Sequence, residues 1–274
     1  MNPTSRTILH GWRGFKLPAL KYSGFHLAAV ALLLAAAPAP AATVTVFAAA
    51  SLTDALQALA ATYEPQSGDK IVFNFAASGT LARQLGAGAP ADLLFFADEA
   101  HADVLAHKGL LLPGSRRDVL GNALVLITPL DHPGVTSPAG LTNAACQRVA
   151  LGEVKTVPCG AYAKTWLVTH GLWPAVAPKV IPCDNVRAVL AAVETGNVDA
   201  GMVYQTDALI SHQVKVACTI TGPSAPIITY PLARLKDSPE PAAAQKFAAF
   251  LESDAALTVF KKYGFLPPPA AAAP

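Results

Sequence analysis

The chain has 274 residues, of which 53% are hydrophobic, 14% charged and 7% aromatic, with a formal net charge of +2. That apolar content excludes general disorder and suffices for one large or two modest packed domains. The near-balanced charge excludes a strong electrostatic footprint for nucleic acid, and no heptads, collagen triplets or longer internal repeats occur.

In chain order, Arg6, Arg13, Lys16 and Lys21 precede an apolar run from Phe25 to Ala37, then Pro38-Ala39-Pro40-Ala41-Ala42. This is the pattern of a secretory signal peptide over residues 1–41, with the small residues Ala39 and Ala41 placing the cut after Ala41. The run is shorter than the ~20 residues of a spanning helix, and no later segment is a spanning candidate. The leader holds four Lys/Arg and no acid, so the exported part is slightly acidic. Net attraction by the whole protein would therefore not hold an anion. Export permits disulfides among Cys146, Cys159, Cys183 and Cys218, with no C-x-x-C to suggest zinc or thioredoxin-like chemistry.

Val44–Phe47 reads as a strand. Leu52, Ala55, Leu56, Leu59, Ala60 and Tyr63 then mark one helical face, with Ser51 at the N-cap and Asp54 three residues on in a capping-box-like pattern. Ile71–Phe75 is a second strand, Thr80–Leu85 a helix, and Leu93–Phe96 a continuous apolar run expected of a central parallel strand. After Gly114-Ser115 the pattern restarts. Strands are predicted at 124–127, 149–152, 179–181, 200–204 and 227–230. Helices are predicted from Pro158 to about Val168, over Val186–Val193 to a stop at Gly196, and over 242–251 and 255–262, before a disordered tail from Pro267. Strand–helix alternation implies βαβ crossovers and parallel pairing in two α/β units.

A recurring feature is a strand ending in small or hydroxyl residues that at once open a helix. It occurs at Ala48–Ser51, Ala76–Thr80, Val157–Gly160 and Cys183–Val186. A helix N-terminus offers unpaired N–H groups and a partial positive charge, small residues let an anion approach, and a serine adds a hydroxyl donor. Such turns lie at the carboxyl ends of parallel strands, where ligands bind. Tyr204, ending a strand before Gln205-Thr206-Asp207, is a further candidate donor. Each turn alone is ordinary capping; four converging turns would surround a tetrahedral oxyanion with neutral donors.

Catalytic signals are few. His101, His107, His132, His170 and His212 are scattered, read as surface residues, and form no metal-ligating spacing. There is no G-x-S-x-G, Walker A or G-x-G-x-x-G motif, and no cofactor is expected. Asp92 and Asp98 flank the 93–96 strand; because a carboxylate opposes an anion, both read as structural, capping backbone groups.

Three stretches carry a family likeness in the first part of the chain: Val46-Phe47-Ala48-Ala49-Ala50-Ser51-Leu52-Thr53-Asp54-Ala55, Phe75-Ala76-Ala77-Ser78-Gly79-Thr80-Leu81-Ala82-Arg83-Gln84 and Gly88-Ala89-Pro90-Ala91-Asp92. Pro158-x-Gly160-x-Tyr162-Ala163-Lys164, Asn185-Val186-Arg187, Gly201-Met202-Val203-Tyr204-x-x-Asp207-Ala208 and Phe260-Lys261-Lys262-Tyr263-Gly264-Phe265 continue it. In this order they closely resemble the periplasmic molybdate-binding proteins of ABC transporters, the ModA family. The resemblance implies a bilobal type II periplasmic-binding-protein fold, with two parallel-rich sheets flanked by helices and a ligand cleft between the lobes. Lobe 1 is expected over 42–121 plus 227–274, and lobe 2 over 122–226.

The implied ligand is molybdate or tungstate, held by hydrogen bonds to its oxygens with no protein ligand to the metal. The contacts carried over are the hydroxyls of Ser51, Ser78 and Tyr204 and the backbone N–H groups of Ser51, Ser78, Cys159 and Val186. The implied partners are the permease subunits of an ABC transporter, for a periplasmic, non-enzymatic monomer. The chain departs from the family pattern in a Ser-rich run reduced to Ala77-Ser78-Gly79, in Phe96 where Ser is frequent, and in Cys159 where Ala is common. The turns carrying Cys159 and Cys183 should both face the cleft, which raises a Cys159–Cys183 disulfide as a pairing to test. The Phe96 and Gly79 changes leave room for another oxyanion such as sulfate. An exported hydrolase using Ser51 or Ser78 is a more distant alternative, for which no base lies nearby in sequence.

Overall fold

The computed structural model describes residues 41–131 and 134–269. The leader therefore lies outside the described residues except for its last residue, as do His132 and the end of the tail.

The first sheet has the order β2-β1-β3-β10-β4. β1 (Thr43–Ala49) lies parallel to β2 (Lys70–Ala76) and to β3 (Leu93–Phe95). β10 (Thr229–Arg234) runs antiparallel between β3 and β4 (Arg117–Gly121). Alternate side chains of its central strands serve two cores: Val46, Ala48, Leu93 and Phe95 join one buried cluster, Phe47, Leu94 and Phe96 the other. Helices cover both faces, so these strands are apolar throughout rather than alternating. The helices are α1 (Thr53–Ser67), α2 (Ser78–Gly86), α3 (Glu99–His107) and, near the C-terminus, α8 (Pro241–Leu251) and α9 (Asp254–Lys262).

The second sheet has the order β7-β6-β8-β5-β9. β6 (Val149–Gly152) pairs parallel with β7 (Val180–Cys183) and β8 (Ala200–Tyr204). β5 (Leu124–Pro129) is antiparallel to both β8 and β9 (Val214–Thr219). Its helices are α4 (Pro158–Thr169), α5 (Trp173–Val176), α6 (Val186–Glu194) and α7 (Gln205–Leu209). α6 buries Val186, Val189, Leu190 and Val193, the face its spacing predicts, and the chain turns out at Gly196 with φ 67°. The chain passes between the sheets twice, from β4 to β5 and from β9 to β10.

Three expectations need correction. Alternation predicted parallel pairing, but each sheet is mixed, because β10 and β5 enter from the other sheet and run against their neighbours. Ser51 is not an N-cap: it sits inside a one-turn 3-10 helix, Ala50–Leu52, and α1 starts only at Thr53. Its hydroxyl is engaged instead by a tyrosine distant in sequence. The Cys159–Cys183 disulfide is absent, since all four cysteines are free. The Cys159 thiol is buried and donates to the Met202 carbonyl at 3.4 Å, while Cys183 Sγ faces its own strand at the Ile181 carbonyl. Leu266, the last residue before the tail expected to be disordered, exchanges two backbone hydrogen bonds with Gly121.

Candidate anion-binding site

The carboxyl ends of β1 and β2 in one half, and of β6, β7 and β8 in the other, face a single small cavity. Its walls include Ala49, Ala50, Ser51, Ala77, Ser78, Ala97, Pro158, Cys159, Asn185, Val186 and Tyr204. All five residues singled out from the sequence, Ser51, Ser78, Cys159, Val186 and Tyr204, line it together. Its volume is about 10 Å³, far below the ~300–1,000 Å³ of typical organic-ligand sites. It therefore suits a small ion better than a sugar or peptide. No lysine, arginine, histidine or carboxylate is among the lining residues.

Four helical turns point their amino ends here: Ala50–Leu52, α2 at Ser78, α4 at Pro158 and α6 at Val186. The first-turn amides of a helix have no intrahelical acceptor. Ordinarily a polar N-cap side chain accepts one of them. Here the N-caps of the first three are Ala49, Ala77 and Val157, and none supplies a side-chain hydrogen bond. Only Asn185 caps, accepting from the Ala188 amide at 3.0 Å. Small caps leave room beside the amides. Gly160 serves the same end within its own half: a Cβ there would collide with the Gly152 carbonyl oxygen, so any side chain would push α4 off β6.

The hydroxyls are oriented from behind. Ser78 Oγ accepts from the Ala97 amide at 3.0 Å. Ser51 Oγ lies 3.0 Å from the Tyr230 hydroxyl, which itself accepts from Asn122 Nδ2 at 3.1 Å. Ser78 keeps its proton for the cavity, and Ser51 does so when Tyr230 is the donor of their shared hydrogen bond. Tyr204 is 1% exposed, and its hydroxyl is buried with no hydrogen-bond partner among the described residues. Such an orphan costs about 1–3 kcal/mol unless something fills the site. Burial, then the neighbouring Tyr230, pushes its pKa well above 10, so it stays a donor. Burial likewise keeps Cys159 a thiol.

The carboxylates expected to be structural divide. Asp92, 1% exposed, accepts from the Thr45 and Glu240 amides and the Ser238 hydroxyl, pinning β1 to the start of α8. Asp98 caps no amide; it meets His101 Nδ1 at 2.6 Å, so His101 is half-buried rather than a surface residue. Phe96 is fully buried in the smaller core and is not part of the cavity wall. Gly79 lies where the halves touch, its amide donating to the Thr156 carbonyl at 3.0 Å. Two contributors went unrecognised in the sequence. Tyr230 and Asn122 stand 179 and 71 residues from Ser51, and no local spacing marks such a contact.

A donor-lined cleft between two mixed α/β lobes, each lobe offering helix amino ends to the same small volume, defines a bilobal solute-binding protein rather than an enzyme. The chain belongs to the bacterial extracellular solute-binding protein family, whose profile matches residues 44–266. It is 38% identical to the molybdate-binding protein ModA of Escherichia coli K12, over 81% of this chain and 88% of that one. It is 39% identical to the putative ABC transporter substrate-binding lipoprotein YvgL of Bacillus subtilis strain 168, over 89% of this chain and 98% of that one. The solved periplasmic molybdate-binding protein of Azotobacter vinelandii superposes with a TM-score of 0.73 at 24% identity, covering 82% of this chain and 99% of that one.

Proposed function

We propose that this protein captures molybdate, and tungstate with it, outside the cytoplasm and delivers the ion to the permease of an ABC transporter. The observation that carries the reading is the buried, unpartnered Tyr204 hydroxyl in the same wall as two serine hydroxyls whose oxygens are already engaged from behind. Three O–H donors and the amides of Ser51, Ser78, Cys159 and Val186 then converge on one guest. Hydrogen bonds to an ion contribute ~1.5–3 kcal/mol each, so seven give a gross ~10–20 kcal/mol. Dehydration and lobe closure offset part of this. The remainder corresponds to a nanomolar to low-micromolar Kd, about −12 to −8 kcal/mol.

A site of donors alone also selects. Phosphate near neutral pH keeps a proton, which finds no acceptor here. Sulfate is proton-free but smaller, and a rigid cradle set for the larger ion leaves it with stretched bonds. Molybdate and tungstate are nearly equal in size and bind alike. Nothing activates either serine as a nucleophile, since Ser51 pairs with a tyrosine and Ser78 with an amide. The lobes of this reading run over 42–121 plus 227–274 and over 122–226, after cleavage of a leader at Ala41, in a periplasmic monomer. Lobe closure over the ion is the signal read by the permease.

The test is a thermal-shift and calorimetric panel on the exported protein. Molybdate and tungstate raise Tm at micromolar concentration while sulfate and phosphate leave it unchanged. An equal shift with sulfate would overturn the assignment of the ion.

A further inference from the structure

We infer that Arg187 is the latch of the closed cleft, a positioning residue that ties the lobes together and fixes Ser51 when the guest is aboard. The inference rests on the solute-capture reading above. Arg187 is the second residue of α6, immediately after Val186 in the cavity wall. A cation in the first turn of a helix opposes the helix dipole, so local preference does not place it there. Its partners do. Arg187 Nε lies 2.7 Å from Asp207 Oδ1, and Nη2 lies 2.7 Å from Asp54 Oδ2, ion pairs by distance whose angles fall outside hydrogen-bond geometry. Nη2 also donates to the Ser51 carbonyl at 3.3 Å.

These contacts divide by lobe. Asp207 lies in the first turn of α7, on the same half as Arg187, and is fully buried. It aims the guanidinium whether the cleft is open or shut. Asp54 and Ser51 belong to the other half, in the first turn of α1 and the 3-10 turn before it. Those two contacts exist only when the halves meet. Because residues 186 and 187 are adjacent, as 51 and 54 nearly are, the motion that brings the Val186 amide to the guest also seats Arg187 on Ser51 and Asp54. The two carboxylates neutralise the guanidinium, which is absent from the cavity wall, so the guest still meets uncharged donors.

A latch made only in the closed state slows escape and leaves entry unchanged. Asp54 is the cleaner test residue, with its side chain 41% exposed and outside the cavity wall. Stopped-flow molybdate binding to Asp54→Asn is expected to show koff raised about 3–10-fold with kon within twofold of wild type. Arg187→Gln should raise koff further, and Arg187→Lys should recover part of the loss. In about 1 M salt, wild-type koff should climb towards that of Asp54→Asn, while the variant barely responds. A wild-type koff in Asp54→Asn, or a rise accompanied by a lowered Tm of the ligand-free variant, would overturn the latch. If Arg187→Gln fails to fold, the Asp54→Asn result and its salt response still decide. Failure of wild type to bind either molybdate or tungstate would instead refute the oxyanion reading, which is a different outcome.

Discussion

Adding a single methyl group at Gly79 separates closure from folding. A Cβ built there would stand 2.7 Å from the Thr156 carbonyl oxygen, 2.8 Å from Thr156 Cα and 2.6 Å from His101 Nε2. The imidazole can swing away; the Thr156 backbone belongs to the other half and cannot yield without moving it. Relieving the contact needs roughly half an ångström or more of separation and breaks the Gly79 N–H to Thr156 hydrogen bond, now 3.0 Å. Overpacking costs about 1–3 kcal/mol and the lost bond about 1 kcal/mol, so Gly79→Ala should weaken molybdate binding by about 2–4 kcal/mol, roughly 30- to 1,000-fold. In the open, ligand-free protein the clash with Thr156 vanishes. Alanine then favours the first turn of α2 by up to about 1 kcal/mol over glycine. Calorimetry and thermal unfolding should therefore move in opposite senses: a poorer Kd with an equal or higher ligand-free Tm. Adding His101→Ala should not rescue the variant. A Kd within twofold of wild type would show that the halves need not meet at Thr156 to hold the ion.

Tyr204→Phe and Ser78→Ala should each cost about 1.5–3 kcal/mol of binding by isothermal titration. Because its hydroxyl bonds no other group among the described residues, Tyr204→Phe should not lower the ligand-free Tm. Burial pushes the Asp207 carboxyl up to about 6 against the pull of Arg187. Between about pH 4 and 6 the unfolded chain has then lost a proton that the folded protein keeps. Stability contributed by this group is thus full below pH 4 and falls as pH rises to 6, by about 3 kcal/mol. Asp207→Asn should flatten that part of the denaturation profile relative to wild type, and an unchanged difference across the window would count against it. Thiol titration of the denatured, unreduced protein should find four free cysteines, Cys146, Cys159, Cys183 and Cys218.

The site was legible in the sequence to the extent that it is built from local pieces. Ala-Ala-Ser and Ala-Ala-Ser-Gly after apolar strands announce a helix whose first amides are accessible, and those turns do meet around one cavity. What stayed hidden depends on contacts between distant residues. Ser51 looks like a cap because serine usually is one, but Tyr230 claims its oxygen from a strand 179 residues away. The antiparallel entry of β10 and β5 leaves no periodic trace, because a strand buried on both faces reads the same in either direction. Arg187 is a plain polar position on an amphipathic helix until the other half delivers Asp54. Export made a disulfide reasonable, yet Cys159 is used as a small buried residue with its thiol on a carbonyl.

The bare helix ends at Ala49, Ala77 and Val157 carry a further consequence. Stability engineering would begin by planting aspartate or serine at each, since such caps commonly add about 1 kcal/mol. In this protein that repair would supply from within what the cargo supplies from without. An aspartate at position 77 would lay its own carboxylate across the receiving amides, making a sturdier molecule that turns its cargo away. The vacancy at those three positions is a standing debt, cleared each time an ion is carried and reopened each time one is released.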